Sequence, residues 1–194
     1  MTNSDPNQTI ETMATELVAT ELNALVLNNG FNEAAWVKAE EVTFRSFFRD
    51  LCEENLCGHY DRNWRCPPQV GPLEDLMANL KSKSQALVFN HISPVDGPGD
   101  MIGMENWGKV FSRLVGKLTE KVHLLVPSAT VLGAGPCAIC SECALLTHEP
   151  CRFPATAVTS LEASGIDVGR LAKLSGLKYS SGPLTVTYFG AIFY

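Results

Sequence analysis

Four of the seven cysteines lie close together near residue 140 and carry the clearest chemical signal in the chain. They follow the pattern C-x2-C-x2-C-x7-C-R-x-P, from Cys137 through Cys140, Cys143 and Cys151 to Pro154. Gaps of two residues let successive thiolates turn back around a common centre. Three close cysteines and one remote cysteine are typical of a cubane iron–sulfur cluster. The spacing therefore predicts a cysteine-ligated metal site on these four residues, the second cysteine group.

A structural zinc site with four cysteines is the rival interpretation of this group, and free or redox-active thiols are a third. Zinc sites of this kind usually use two separated C-x-x-C pairs, so the C-x2-C-x2-C triple favours iron–sulfur over zinc. Gly58, Gly133 and Gly135 would let backbone N–H groups approach inorganic sulfurs closely. Arg152, beside the Cys151 ligand, could offset the negative charge of a cluster.

The other three cysteines, Cys52, Cys57 and Cys66, form the first cysteine group, in a loop-like stretch rich in turn residues. Three thiolates leave a metal site one ligand short. The fourth position is either an open iron or is filled by His91 or His59. The simpler alternatives are that each histidine is a packed or surface residue and that Cys52 is a buried core thiol. An open iron would make this group the better place for chemistry, whereas four cysteines suit electron transfer or structure.

Other side chains near the cysteines have ordinary explanations as well as functional ones. Tyr60 and Trp64 either shield a cluster from water or simply pack the loop. Asp96 and Asp100 either serve as acid–base groups or form a turn. The sequence therefore assigns no catalytic residue.

Helical and strand-like segments alternate without a regular βαβ rhythm, which predicts the α+β class. The helical patterns cover residues 8–29, 73–81, 101–121 and 168–175, with shorter helical segments at 43–51 and 161–163. The strand patterns cover residues 85–91, 129–132 and 184–194, and residues 31–42 are a short strand or an extended connector. We expect a single domain with a mixed or antiparallel sheet, flanking helices and cysteine-rich metal-binding loops. Within it, residues 1–39 would be an N-terminal helical segment and residues 40–194 the metal-binding domain.

Composition and charge narrow the class of protein. The 194 residues are long enough to bury a core without disulfides. A net charge of −6 disfavours nucleic acid as a partner, and no apolar run reaches the ~18 residues of a membrane span. The polar N-terminus lacks a signal pattern, so we expect a cytoplasmic protein whose cysteines bind metal. An exposed edge of the C-terminal strand would allow a homodimer.

Two sequence regions together resemble a known family. The first region contains Gly58-His59-Tyr60, Asn63-Trp64 and Cys66-Pro67-Pro68. The second contains Leu132-Gly133-Ala134-Gly135-Pro136-Cys137, then Cys140, Cys143 and Pro150-Cys151-Arg152. These motifs resemble the small, cysteine-rich predicted metal-binding proteins, a domain of unknown function found mostly in anaerobic bacteria and archaea. The resemblance covers roughly residues 40–194. It implies metal binding in an anaerobic cytosol and does not imply a reaction.

Three functions follow as expectations. The first is an iron–sulfur protein, with one or two [4Fe-4S]-type clusters, that serves electron transfer or redox chemistry in anaerobic metabolism and has a redox partner protein. The second is a structural-zinc protein or a metal-delivery module. The third is a reductase that binds a small-molecule substrate at an open iron held by Cys52, Cys57 and Cys66.

Overall fold

A computed structural model describes residues 6–194, with the side chains described from residue 15 onward. The helices of this part are α1 (Pro6–Asn28), α2 (Ser46–Glu53), α3 (Leu73–Lys81), α4 (Met101–Leu125) and α5 (Val168–Ser175). Its strands are β1 (Glu33–Lys38), β2 (Gln85–Pro94), β3 (Thr130–Gly133), β4 (Thr159–Ser160) and β5 (Thr185–Phe193). The predicted α+β class, with a mixed sheet and flanking helices, is confirmed.

The strands form one mixed sheet in the order β1-β2-β5-β3-β4. The β1–β2, β2–β5 and β5–β3 pairs are antiparallel, and the short β3–β4 pair is parallel. The apolar C-terminal strand β5 is therefore central. The prediction that it has an exposed edge is wrong, because β2 and β3 pair with both of its sides. A homodimer stays a prediction, but it could not form by pairing of β5 with a second copy of the chain.

Each face of the sheet packs against its own helices. On one face, α1 and α4 cover the sheet through a core that includes Leu22, Phe89, Phe111 and Leu118. The other face packs against α5 and the segment before it, through side chains that include Leu161, Ile166, Leu171 and Phe189.

Most predicted elements are confirmed, with local differences. Helices α3 and α5 have the predicted bounds, and β2 runs three residues further because its pairing with β5 continues to Pro94. The predicted short helix at 161–163 is wrong. Ser160 accepts a hydrogen bond from the Ala163 N–H at 3.0 Å, but the chain turns at Gly165, whose φ is +76°. Strand β1 lies within the predicted segment 1–39, and the division at residue 40 stays a prediction.

Two connections carry six of the seven cysteines, and the seventh lies on the helix that leads into the first connection. The first joins α2 to α3, so Cys52 lies on α2 and the other two members of its group follow in the loop. The second joins β3 to β4 and contains the whole second cysteine group. The sheet and α4 therefore fix the start of the second loop, whereas α2 fixes the start of the first.

Candidate metal centre

The second cysteine group lies in a loop that is tied to α4. After β3 the chain turns at Gly135, whose φ of +65° favours glycine. The Ala138 N–H donates to the Ser112 hydroxyl at 2.8 Å, and Arg113 Nε donates to the Ala138 carbonyl oxygen at 3.3 Å. All four cysteines of this group are half-buried. The hydrogen bonds to α4 therefore anchor the middle of a loop that would otherwise hang from one strand end.

The first cysteine group is more open to solvent. Cys52 and Cys66 are half-buried, whereas Cys57 is exposed. The chain turns beside Cys57 at Gly58, with a φ of +73°, and the Asp61 N–H closes the loop onto the Pro67 carbonyl oxygen at 2.8 Å. Of the seven thiols, Cys57 is the one that a molecule in solution would meet first.

The two loops pack directly against each other through three consecutive residues. The Asn63 side-chain amide donates to the Cys137 carbonyl oxygen at 2.9 Å, and the Trp64 indole N–H donates to the Glu149 carbonyl oxygen at 3.0 Å. Arg65 Nη2 donates to the Pro154 carbonyl oxygen at 2.6 Å. The two cysteine groups, which 70 residues separate in the sequence, therefore meet in one region.

Trp64 is the closest link between the loops. Its backbone N–H points at Cys143 Sγ, with an N–S distance of 3.5 Å, while its half-buried ring covers the second loop. An N–H group directed at a ligand sulfur stabilises negative charge on that sulfur and tunes the potential of a bound metal group. The structure thus places Trp64 at the contact between the two loops.

Electrostatics also connects the two groups. Burial, together with negative charge on Cys57, Cys52, Cys137 and Cys143, raises the pKa of the Cys66 thiol to about 12. These four cysteines come from both groups, so Cys66 lies within electrostatic reach of each. A metal ion would reverse this repulsion, because thiolates are the ligand form of cysteine and metal binding releases their protons.

Burial acts on two further thiols. It raises the pKa of Cys137, and negative charge on Cys151, Cys140 and Cys143 also raises that pKa. It also raises the pKa of Cys52, against a lowering by Arg49. The metal-free chain therefore keeps these thiols protonated well above neutral pH.

The donor set fits a thiolate-bound metal group. All seven cysteines are free thiols, and soft thiolate ligands select iron–sulfur clusters, zinc or copper(I). No group of three or more His, Cys, Asp or Glu side chains within the described part of the chain is arranged to hold a metal ion. A single zinc ion draws four sulfurs to about 3.8 Å from one another, given its Zn–S distance of about 2.3 Å. A cluster holds its ligands further apart, because each thiolate binds a different iron.

The two candidate histidines have different surroundings. His91 Nδ1 lies 2.9 Å from the Gly30 carbonyl oxygen, and its ring packs near Phe31, Trp107 and Phe111 under α1 and α4. None of these neighbours is a cysteine, so the structure does not bring His91 to the first group. His59 follows Cys57 by two residues in the sequence, and burial lowers the pKa of its imidazole, which favours the neutral form that binds metals.

The aspartates predicted as acid–base or turn residues form a turn. The Asp100 carboxylate caps α4 by accepting the Gly103 N–H at 2.8 Å and also accepts the Asp96 N–H at 3.1 Å. These backbone donors lower the pKa of Asp100. A crevice at the start of the second loop, lined by residues that include Ser112, Cys137 and Thr159, is too narrow to admit a water molecule. It therefore offers no room for a substrate.

Sequence reasoning missed Glu162. Although the residue is not fully buried, its Oε2 atom is inaccessible to solvent and has no hydrogen-bond partner among the described residues. Burial raises the pKa of this carboxyl against the lowering effect of the Ser160 hydroxyl and the Gly135 N–H. The only sequence signal was a charged residue in the otherwise small and apolar stretch SLEASGI.

Together these features define a class of protein, an α+β domain in which two cysteine-bearing loops pack together as a candidate metal centre. The chain belongs to the family described as "Predicted metal-binding protein (DUF2284)", which matches residues 35–194. No curated protein and no solved structure matches the chain. Within residues 6–194, no helix combines the length and the hydropathy needed to cross a membrane.

Proposed function

We propose that this protein is an iron–sulfur protein with two [4Fe-4S]-type sites that passes electrons in anaerobic redox metabolism. The second cysteine group would hold one cluster through its four thiolates. The first group would hold the other through Cys52, Cys57 and Cys66. The observation that carries the proposal is the meeting of all seven free thiols in one region, with Cys66 within electrostatic reach of both groups.

The packing of the loops supports electron transfer between the two sites. Electron transfer slows steeply with distance, so clusters that exchange electrons need adjacent ligands. Trp64, in the first loop, directs its N–H at Cys143 of the second group, and Asn63 bonds to the carbonyl oxygen of Cys137. Cys137 and Cys143, two ligands of the second cluster, would therefore lie next to residues of the loop that holds the first cluster.

Two features support clusters over zinc. The triple C-x2-C-x2-C spacing is the first. The second is the N–H directed at Cys143 Sγ, an interaction that tunes cluster potentials.

The surroundings of Cys57 support a protein as the redox partner. Cys57 is exposed, its neighbour Leu56 is 87% exposed, and Asp50, Glu53 and Glu54 are exposed on the preceding helix turns. An apolar centre with an acidic rim fits an electron carrier that presents a basic rim. Electrons would reach the first cluster at this edge and continue to the second.

Anaerobic purification followed by iron, sulfide and zinc analysis tests the proposal. We expect about eight irons and eight sulfides per chain, as two four-iron clusters require, with visible absorption that bleaches on reduction and paramagnetic resonance signals from both clusters. Stoichiometric zinc in a colourless protein without iron would contradict the proposal and establish the structural-zinc alternative.

A further inference from the structure

Helix α2 lies along the segment that contains Glu162. The Arg45 N–H donates to the Gly165 carbonyl oxygen at 2.7 Å, and one turn later Arg49 Nη1 donates to the Ala163 carbonyl oxygen at 2.8 Å. From Arg45 to Arg49, the contacted residue thus changes from Gly165 to Ala163. Cys52 follows Arg49 by three residues, on the same helix face. Negative charge on Glu162 acts on the Cys52 thiol, so Glu162 lies within electrostatic reach of Cys52.

The second loop approaches Glu162 from the other side. The Leu161 N–H donates to the Gly133 carbonyl oxygen at 2.9 Å, which holds this segment against the end of β3. The Gly135 N–H and the Ser160 hydroxyl then face the Glu162 carboxylate. Glu162 thus lies between α2, which carries the first ligand of the first cysteine group, and the turn that leads into the second group.

The Glu162 carboxylate has no partner for its second oxygen. Oε2 is enclosed and has neither a hydrogen bond nor a salt bridge to any residue that the structure describes. The buried cation of this region, Arg49, directs its donors to the carbonyl oxygens of Ala163 and Gly71 instead. An enclosed carboxylate oxygen without a partner is costly, so the group either keeps a proton on that oxygen or directs it at a cation.

We propose that Glu162 is the fourth protein ligand of the first cysteine group and binds, through Oε2, the iron that Cys52, Cys57 and Cys66 leave open. The inference rests on the proposed function and deepens it. A carboxylate binds iron less tightly than a thiolate does. The Glu162-bound iron is therefore the position at which this cluster can exchange a ligand. Cys52 supports the pairing, because negative charge on Glu162 acts on its thiol.

The test compares the anaerobically reconstituted full-length chain with four variants. Glu162→Gln keeps the size of the side chain but removes the anionic ligand, and Glu162→Cys replaces the carboxylate with a thiolate. His59→Ala removes the competing ligand candidate. Asp167→Asn is the matched control, because Asp167 is a buried carboxylate five residues further on that caps α5. The measurements are iron per chain, paramagnetic resonance, and Mössbauer spectra of ⁵⁷Fe-loaded wild-type protein.

We expect the wild-type Mössbauer spectrum to show one iron in about eight with a non-thiolate ligand. Glu162→Gln should lose that iron and show the resonance signal of a three-iron cluster. Glu162→Cys should keep the full iron content with only thiolate-bound irons, and His59→Ala and Asp167→Asn should match the wild type. The wild-type spectrum needs no variant, so the test holds even if a substitution impairs folding.

Three results would overturn the inference. Two clusters with only thiolate ligands in the wild type would do so, as would an unchanged cluster in Glu162→Gln or the loss of one iron in His59→Ala. Each of these leaves the proposed function intact, because both clusters are present. A wild-type chain that takes up no iron overturns the proposed function together with the inference, so the two failures are distinguishable.

Discussion

The two cysteine groups share one kind of ligand but differ in shielding. In the second group all four thiols are half-buried, in a loop that is bonded to α4 and faced by Trp64. The first group supplies three thiols, and one of them, Cys57, is exposed. The comparison suggests a division of roles in which the first site exchanges electrons with partners and the second stores them.

The largest expected effect comes from removing one thiol from each group. Cys143→Ser should abolish the second cluster and Cys57→Ser the first, because each removes a ligand of one cluster only. Each variant should therefore lose about half of the iron, and each should lose a different paramagnetic resonance signal. Ser141→Ala, between two ligands of the second group, is the matched control and should retain all the iron. Loss of all the iron from either variant would show that the two groups form a single site.

Alkylation of the metal-free chain should separate the groups kinetically. Cys57 should react first because it is exposed. Cys66 should react last, since burial raises its pKa to about 12 and only the thiolate reacts. At pH 8 about one Cys66 thiol in ten thousand is ionised, and the fraction rises about tenfold per pH unit until the pH approaches the pKa. Mass spectrometry of quenched time points measures both rates. A Cys66 rate that is independent of pH between 8 and 10 would contradict this prediction.

The sequence selects candidate ligands, but it does not predict how they are arranged. Spacing alone selects Cys137, Cys140, Cys143 and Cys151, because turns of two intervening residues are a local property of the chain. The contact between the groups depends on how the two loops pack, which is set by long-range bonds such as that of Asn63 to Cys137. For the same reason the enclosed carboxylate of Glu162 has no local signature in the sequence.

The prediction of the fold is likewise limited to features that local sequence signals determine. Helices α3 and α5 are predicted at their bounds because their apolar spacing and flanking glycine and proline residues are local signals. The position of β5 in the middle of the sheet is not local. It depends on Gly190, where a Cβ atom would meet the Phe89 ring and would lie 2.8 Å from the Leu132 carbonyl oxygen. Met101 begins α4 but is 70% exposed, because periodicity gives the face of a helix but not where the sheet beneath it ends.

Arg49→Met should weaken the attachment of α2, the helix that carries Cys52, to the rest of the domain. Arg49 is buried and bonds the carbonyl oxygens of Ala163 and Gly71, so the variant loses two charge-assisted hydrogen bonds and leaves both acceptors unpaired. We expect the free energy of unfolding to fall by about 2–4 kcal/mol, as measured by urea denaturation of the metal-free chain. Arg170→Met, at an exposed arginine near Asp167, should change it by less than about 1 kcal/mol. Equal effects of the two substitutions would rule out the proposed anchoring by Arg49.

Asn63→Ala tests the contact between the groups. The buried Asn63 side chain donates to the Cys137 carbonyl oxygen, so its loss should lower the free energy of unfolding by about 1–3 kcal/mol. It should also accelerate iron loss from the second site under a chelator, followed by the resonance signal of that cluster. Gln69→Ala, which removes an exposed side-chain bond within the first loop, should leave that rate unchanged. An unchanged rate in Asn63→Ala would mean that the loops hold their clusters independently.

Arg152→Gln should give the smallest effect and the sharpest distinction between the sites. Arg152 is exposed and bonds only the Glu142 carbonyl oxygen among its described contacts, so stability should change by no more than about 0.5 kcal/mol. Removing a positive charge beside Cys151 disfavours the added electron of the reduced second cluster. A surface charge interaction of about 0.2–1 kcal/mol corresponds to a potential lower by about 10–40 mV. Redox titration followed by paramagnetic resonance should show this shift for the second cluster alone, and Arg152→Lys should largely prevent it. An equal shift of both potentials would mean that the clusters share one electrostatic environment, and the assignment of separate roles to the two cysteine groups would then be wrong.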